Sequence, residues 1–172
     1  EKDVLNAEID ILREMGVEFQ CGVEVGRDIT IEQLRAQGYK GFYVAIGAQK
    51  SAKLRIPGEE LDGVYGGVDF LRAVNHGHET QIGKSCAVIG GGNTGAQLVT
   101  VLNAFGAAVT LLDIAPRILM PSDAAISAEV TDAFRRVGVT VATGIDSIES
   151  LARAADGAIE LRWSDHGDAV AG

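Results

Sequence analysis

The sequence is short of the features that mark several classes of protein. Basic residues are outnumbered, because 15 Lys and Arg stand against 24 Asp and Glu, for a formal net charge of −9. Since phosphate backbones are bound by a basic face, nucleic acid is not expected as a partner. No apolar run reaches the roughly 18 residues of a membrane span, and Glu1, Lys2 and Asp3 open no signal-peptide pattern. We therefore expect neither a membrane partner nor a secretory leader.

Cysteine is also scarce. Cys21 and Cys86 are the only cysteines, and they form no C-x-x-C pair. Both lie in apolar runs, so we expect two reduced thiols packed inside a cytoplasmic protein. His76 and His78 have no third ligand nearby, so no metal site is predicted. No catalytic dyad or triad is recognisable, and neither a redox-active disulfide nor an iron–sulfur cluster is expected.

From residue 84 onward the apolar residues follow a regular rhythm. Strands alternate with helices, and the predicted ranges are 85–89, about 94–105, 107–113, Ser122 to Arg136, and 139–143. This alternation predicts an α/β fold with a Rossmann-type parallel sheet and right-handed crossovers. Asp156-Gly157 lies between two further possible strands, 146–152 and 158–163, and predicts a β-hairpin or meander inserted after the sheet.

The first part of the chain is less regular. Helical spacing of apolar residues predicts a helix over 3–15, and Thr30-Ile31-Glu32-Gln33 has the form of a capping box that opens a short helix. The alternation of apolar residues over 17–21 predicts a strand, and the unbroken apolar run 42–46 predicts a second, fully buried strand. Residues 47–66 are rich in glycine and predict a connector on the surface, followed by a short helix over 67–75.

The motif with a chemical meaning is the glycine loop Gly90-Gly91-Gly92-Asn93-Thr94-Gly95, between an apolar strand and an apolar helix. In a G-x-G-x-x-G loop, Gly90 allows a sharp turn, Gly92 lets a pyrophosphate approach the backbone, and Gly95 lets helix and strand pack closely. The helix N-terminus then presents N–H groups and partial positive charge to the phosphates. The pattern predicts dinucleotide binding, with a glycine-rich turn that binds nothing as the alternative.

An acidic residue at the end of the next strand bears on the type of dinucleotide. Asp113 follows Gly90 at close to the expected interval of about 20 residues. A carboxylate there accepts hydrogen bonds from the ribose hydroxyls of NAD(H) and repels the 2′-phosphate of NADP(H). Arg117 offers a base that would suit a 2′-phosphate, or it is an ordinary surface arginine. NAD(H) is therefore predicted, with NADP(H) as the less favoured alternative.

These residues resemble a known family. Residues 84–172, and in particular Cys86 to Phe105, Val109 to Asp113 and Pro116 to Leu119, resemble the NAD(P)-binding domain of the pyridine nucleotide–disulfide oxidoreductases, especially the dihydrolipoamide dehydrogenase and mercuric reductase branch. Residues 1–80 resemble the glutamate synthase small subunit, through the words Asp3 to Ile9, Gly41 to Ala48 and Ile56 to Glu59.

The resemblance implies a domain organisation and a function. It implies that residues 1–80 are the back half of an FAD domain with a connector, in which Ala45, Ile46 and Gly47 pass near the flavin. It implies that residues 81–172 form the NAD(P)-binding domain, with Gln97 where many relatives place a glutamate near the nicotinamide. The family's first glycine loop and its closing strand have no counterpart here, which implies an interior piece of a flavoprotein.

The predicted function is hydride transfer between a nicotinamide cofactor and FAD, with FAD held mainly by segments outside this chain. The implied partners are the dinucleotide and the rest of the flavoprotein or a partner subunit, and self-association into a homo-oligomer is a further possibility. An NAD(H)-binding regulatory module without catalysis, and a fragment whose loop is empty, are the competing hypotheses.

Overall fold

The computed structural model describes residues 2–78 and 82–172. The helices are α1 (Lys2–Glu14), α2 (Ile31–Ala36), α3 (Gly67–Asn75), α4 (Asn93–Ala104) and α5 (Ala124–Arg136). The strands are β1 (Ser85–Ile89), β2 (Ala108–Asp113), β3 (Thr140–Thr143), β4 (Ser147–Arg153), β5 (Ile159–Asp165) and β6 (Asp168–Ala171). By their internal contacts the residues divide into two compact units, Glu1–Ile46 and Gly47–Gly172.

The second unit contains two three-stranded sheets. In the first, β1, β2 and β3 run parallel in that order, with Val88 opposite Leu111 and Leu111 opposite Val141. In the second, β4, β5 and β6 form an antiparallel meander. The predicted α/β fold with an inserted hairpin is confirmed. The strand β6 was not predicted, because it is only four residues long and follows a turn of polar residues.

The parallel sheet is held by an apolar core on the face that α4 covers. Leu98, Val99 and Leu102 of α4 are buried against Val109 and Leu111 of β2. Both strand residues point to the same face because strand side chains alternate with a period of two. The predicted core position of Cys86 is confirmed, since it packs against this cluster, and burial raises the pKa of its thiol.

The connector was predicted to lie on the surface, and this is wrong for its middle section. Ile56, Leu61 and Val64 pack against the apolar cluster of the antiparallel sheet. The N–H of Leu151 donates to the carbonyl of Pro57 at 2.9 Å, and a Cβ on Gly58 would collide with the carbonyl of Leu151. A glycine-rich composition gives no signal of this packing, because the contacts are made with residues of the antiparallel sheet that lie far along the chain.

The first unit has helices where they were predicted, but its predicted strands are wrong. The capping box at Thr30 is present, with the side chain of Thr30 accepting from the N–H of Gln33. Residues 17–21 and 42–46 are irregular, and Tyr43, Val44 and Ile46 are 93%, 76% and 74% exposed. Cys21, expected inside a strand, is exposed as well. An apolar run becomes a buried strand only when other strands pair with it, and none of the described residues of this unit forms a named strand.

Candidate functional site

The glycine loop begins where β1 leaves the sheet. Gly90 adopts a φ of +102°, a conformation that favours glycine. Its N–H donates to the carbonyl of Leu112 on the neighbouring strand β2, at 2.8 Å. The chain therefore makes its sharp turn while still attached to the sheet, at the carboxyl ends of β1 and β2.

The third glycine of the motif brings helix and loop together. Gly95 is buried in the first turns of α4, and a Cβ built on it would collide with the carbonyl oxygen of Gly90. It would also lie 3.6 Å from Cγ1 of Val88. The predicted reason for this glycine, close packing of helix against strand, agrees with this geometry.

The second glycine of the G-x-G-x-x-G motif, Gly92, has open space beside it. Gly92 is the N-cap residue of α4, with φ −72° and ψ −174°. It makes no side-chain hydrogen bond that caps the helix. Apart from Gly92 itself and its two chain neighbours, no heavy atom of the described residues lies within 4 Å of a Cβ built on it. Since the first N–H groups of a helix have no acceptors within the helix, this end of α4 presents donors and partial positive charge next to open space. Asn93 and Thr94, the next two residues, are exposed beside it.

Gly91, between Gly90 and Gly92, is buried and contacts several residues. Its N–H donates to Oδ2 of Asp113 at 2.5 Å, and its carbonyl accepts from the N–H of Leu119 at 2.7 Å. A Cβ on Gly91 would lie 2.7 Å from Cγ2 of Ile118. The loop is therefore fixed by the segment that follows β2, a contact that the glycine pattern by itself does not reveal.

Asp113 is the last residue of β2 and is half-buried. Both of its carboxylate oxygens accept hydrogen bonds from backbone N–H groups. Oδ2 accepts from Gly91, and Oδ1 accepts from the N–H of Ala115 at 2.8 Å. The bond to Ala115 is a local turn that aspartate commonly makes two residues ahead, whereas the bond to Gly91 spans the sheet edge. Each carboxylate oxygen retains a further lone pair, so the side chain is oriented and can still accept from a ligand.

Arg117 is engaged in the same segment. Its guanidinium donates to the carbonyl of Leu119 at 3.2 Å and to that of Met120 at 2.9 Å. The side chain is half-buried. A 2′-phosphate would have to draw Arg117 away from these two carbonyls.

Gln97 lies one turn along α4 on an exposed face. Together with neighbouring residues it lines a shallow groove of about 310 Å³, whose other lining residues are Asn93, Ala96, Thr100, Leu119, Val130 and Phe134. The polar lining residues Asn93, Gln97 and Thr100 belong to α4, and the apolar Val130 and Phe134 belong to α5. Gln97 is an amide, so it offers hydrogen bonds but no carboxylate chemistry.

The residues predicted to pass near a flavin lie elsewhere in the chain. Ala45 and Ile46 end the first compact unit, and Gly47 begins the second with φ +65°. All three are exposed in irregular backbone. Their role near the flavin remains a prediction. The domain boundary between residues 80 and 81 also remains a prediction, because it separates the parts expected to bind FAD and NAD(P) and does not follow from the internal contacts of the two units.

Residues 2–78 and 82–172 contain no group of three or more His, Cys, Asp or Glu side chains placed to hold a metal ion. Over the same ranges no helix is both long and apolar enough to cross a membrane.

Comparison with known proteins begins with the family profile of the pyridine nucleotide-disulphide oxidoreductases, which matches residues 25–161. The NADPH-Fe(3+) oxidoreductase subunit beta of Geobacter sulfurreducens is 36% identical over 126 residues. The glutamate synthase [NADPH] small chain of Mycobacterium tuberculosis is 38% identical over 138 residues. The aligned parts cover 71% and 72% of this chain, but the chain spans only 19% and 28% of these relatives.

Solved structures share the fold at lower identity. The water-forming NADH oxidase of Lactobacillus brevis, bound to NADH, superposes with a TM-score of 0.54 at 24% identity, covering 70% of this chain and 26% of that one. A ferredoxin reductase from Rhodopseudomonas palustris superposes with a TM-score of 0.55 at 21% identity, covering 70% and 30%. The part of the chain that superposes, 70% of its length, therefore has a fold that these two solved structures share.

Proposed function

Because the chain belongs to the pyridine nucleotide-disulphide oxidoreductase family, we propose that it is the nicotinamide-dinucleotide-binding portion of a flavin-dependent oxidoreductase. The reaction is the passage of hydride between the nicotinamide and FAD. One observation carries the proposal: the open backbone at Gly92, at the N-terminal end of α4, within a loop of the G-x-G-x-x-G form. Phosphates bind such helix ends because unpaired N–H groups and the helix dipole converge there.

The residues of the loop and of the start of α4 divide between shaping the loop and contacting the ligand. Gly90 and Gly95 shape the turn, and Gly92 lets the pyrophosphate reach the backbone. The N–H groups of Asn93 and Thr94 donate to the phosphate oxygens at the start of α4. Gln97, on the same helix and one turn further on, is the residue we assign to the nicotinamide end of the ligand, where its amide would orient the ring by hydrogen bonds.

We propose that NAD(H) is preferred to NADP(H). Asp113 brings a fixed negative charge to the end of β2, and Arg117 is bound to the carbonyls of Leu119 and Met120. The names of the two relatives above specify NADPH, so the preference needs a direct test. In line with the charge argument, an engineered form of the Lactobacillus brevis enzyme that is bound to NADPH carries five substitutions, of which one replaces aspartate by alanine and two introduce arginine.

The chain is expected to bind NADH about tenfold or more tightly than NADPH, since like charges held together cost several kcal/mol. Asp113→Ser should reduce this preference, because it weakens the contact with the ribose of NADH and relieves the repulsion of NADPH. Titration calorimetry with both reduced cofactors measures the two dissociation constants.

The matched control is Asp123→Ala, which removes a carboxylate that caps α5 by accepting from Ala125 and leaves the preference unchanged. Equal or tighter binding of NADPH to the unsubstituted chain would contradict the assignment and point to Arg117 as the deciding residue. A loss of both cofactors in equal measure on Asp113→Ser would show that Asp113 acts mainly through its bond to Gly91.

For the flavin, we propose that FAD is held mainly by segments outside these 172 residues, with Ala45, Ile46 and Gly47 lining one side of it. Relatives that combine subunits, such as the glutamate synthase small chain, support a partner subunit or a longer polypeptide as the source of the remaining contacts. The free, unpaired cysteines fit the cytoplasm as the place where the protein acts.

These 172 residues, expressed alone, are expected to be colourless and to bind NADH, because their single G-x-G-x-x-G loop is assigned to the nicotinamide dinucleotide. Val4, Leu5, Ile11 and Leu12 of α1 are exposed, so self-association is expected as well. Absorbance at about 450 nm measures bound flavin, and titration calorimetry measures NADH binding. Stoichiometric FAD after purification would contradict it, and NADH binding by a whole protein without flavin would favour the regulatory module.

A further inference from the structure

Ser127, on α5, carries a buried hydroxyl outside the loop described above. The residue is 1% exposed, and its Oγ–H donates to the carbonyl of Ile118 at 2.6 Å in a buried position. The helix itself does not need this bond, because the backbone N–H of Ser127 already donates within the first turn of α5, to the carbonyl of Asp123 at 3.0 Å. The hydroxyl therefore joins α5 to the segment that follows β2.

That segment is the support of the glycine loop. Ile118 is fully buried, and its Cγ2 fills the space where a Cβ on Gly91 would lie. The next residue, Leu119, donates its N–H to the carbonyl of Gly91 at 2.7 Å. Ser127, Ile118 and Gly91 thus form a continuous series of contacts from the buried side of α5 to the residue beside Gly92.

From this series we infer that Ser127 is a positioning residue for the dinucleotide. Its hydroxyl donates to the carbonyl of Ile118 and so fixes the position of Ile118 and Leu119. These two residues contact Gly91, and the position of Gly91 determines that of the adjacent Gly92 backbone. The inference rests on the proposed function of the loop. Because Ser127 is buried, its effect on the ligand passes through the backbone of Ile118 and Leu119.

The bond to the hydroxyl, rather than packing alone, is what matters here. Without it the Ile118 carbonyl is a buried acceptor that lacks a donor, which is costly. The Ile118 carbonyl can find another donor only if its segment shifts. Gly91 would then shift as well, because Ile118 lies directly against it. A displaced Gly91 misplaces the N–H groups at the start of α4, to which phosphate binding is sensitive.

The test measures binding of NAD⁺ to the whole protein by titration calorimetry, since NAD⁺ cannot reduce an oxidised flavin. Ser127→Ala is expected to raise the dissociation constant about threefold to tenfold, the effect of one lost hydrogen bond. The stoichiometry is expected to stay the same. A purely structural role would instead lower the stoichiometry, through unfolded protein, and leave the dissociation constant of the folded fraction unchanged.

Thr131→Ala is the matched control. Thr131 lies on the same helix and also donates its hydroxyl to a backbone carbonyl, that of Ser127, at 2.8 Å. This bond lies within α5 and not on the segment that supports the glycine loop, so the loss of the Thr131 hydroxyl should leave the dissociation constant as it was. Should Ser127→Ala fail to fold, Ser127→Cys keeps a side chain of similar size with a weaker donor and carries the same expectation with a smaller rise.

The two proposals fail in different ways. If the unsubstituted protein does not bind NAD⁺, the proposed function is wrong. If it binds, and folded Ser127→Ala or Ser127→Cys binds with an unchanged dissociation constant, only the positioning role is wrong. A rise of equal size in Thr131→Ala would also overturn that role, because it would show that any disturbance of α5 weakens binding.

Discussion

Replacing Gly92 with valine is expected to abolish dinucleotide binding while leaving the fold intact. The dissociation constant should rise by more than about a hundredfold, or about 2.8 kcal/mol. The physical reason is occupied space: the valine methyl groups would stand where the pyrophosphate approaches the backbone at the start of α4. Calorimetric titration with NADH measures the loss, and circular dichroism checks the fold.

The backbone makes this a clean test. Gly92 does not occupy the left-handed backbone region that favours glycine. Its φ of −72° and ψ of −174° are open to any residue, and a Cβ there meets no atom within 4 Å. The stability cost should therefore be small, about 1 kcal/mol for a poorer helix cap.

Gly92→Ala serves as the graded control, because a single methyl group should weaken binding less than the valine side chain does. Valine with undiminished affinity, in a protein shown to be folded, would refute the placement of the pyrophosphate at this loop. Equal losses for alanine and valine would point to the loop's flexibility rather than to space.

Gly95→Ala is expected to destabilise the second unit by about 3 kcal/mol, at the upper end of the cost of overpacking. At this chain length, that lowers the melting temperature by about 6–12 °C. The added Cβ would collide with the carbonyl of Gly90, and a backbone atom in a turn at φ +102° cannot move aside as a side chain can.

The sign of this effect is diagnostic. Within a helix, alanine is normally favoured over glycine by about 1 kcal/mol, so helix propensity alone predicts a more stable protein. Differential scanning calorimetry decides between the two effects. Gly41→Ala is the matched control, because a Cβ on Gly41 has no neighbouring atom within 4 Å and the φ of Gly41 is not positive. The melting temperature of this variant should stay nearly the same as that of the unsubstituted protein. A more stable Gly95→Ala would mean that α4 and β1 are not in close contact.

Local sequence was enough for the parallel half of the fold. The helices α4 and α5 and the strands β1, β2 and β3 lie within one or two residues of the predicted ranges, because hydrophobic period and glycine punctuation are properties of neighbouring residues. The capping box at Thr30 was read correctly for the same reason: its partners are three residues apart. The family resemblance is likewise confirmed by the profile match over 25–161.

The tertiary structure alone decided what depends on distant partners. Residues 17–21 and 42–46 have the composition of strands, yet they are irregular and exposed, because a strand exists only with a neighbour to bond. The connector around Gly58 is packed where composition predicted surface.

At the candidate site the division is the same. The sequence by itself determined the glycine loop and the acid that follows it, since spacing along a strand, a turn and a helix is enough to identify them. Only the tertiary structure shows that Asp113 and Leu119 bond to Gly91 and that Ser127 holds Ile118. Asp113 and Gly91 are 22 residues apart, and no local pattern records a contact that exists because two parallel strands end side by side.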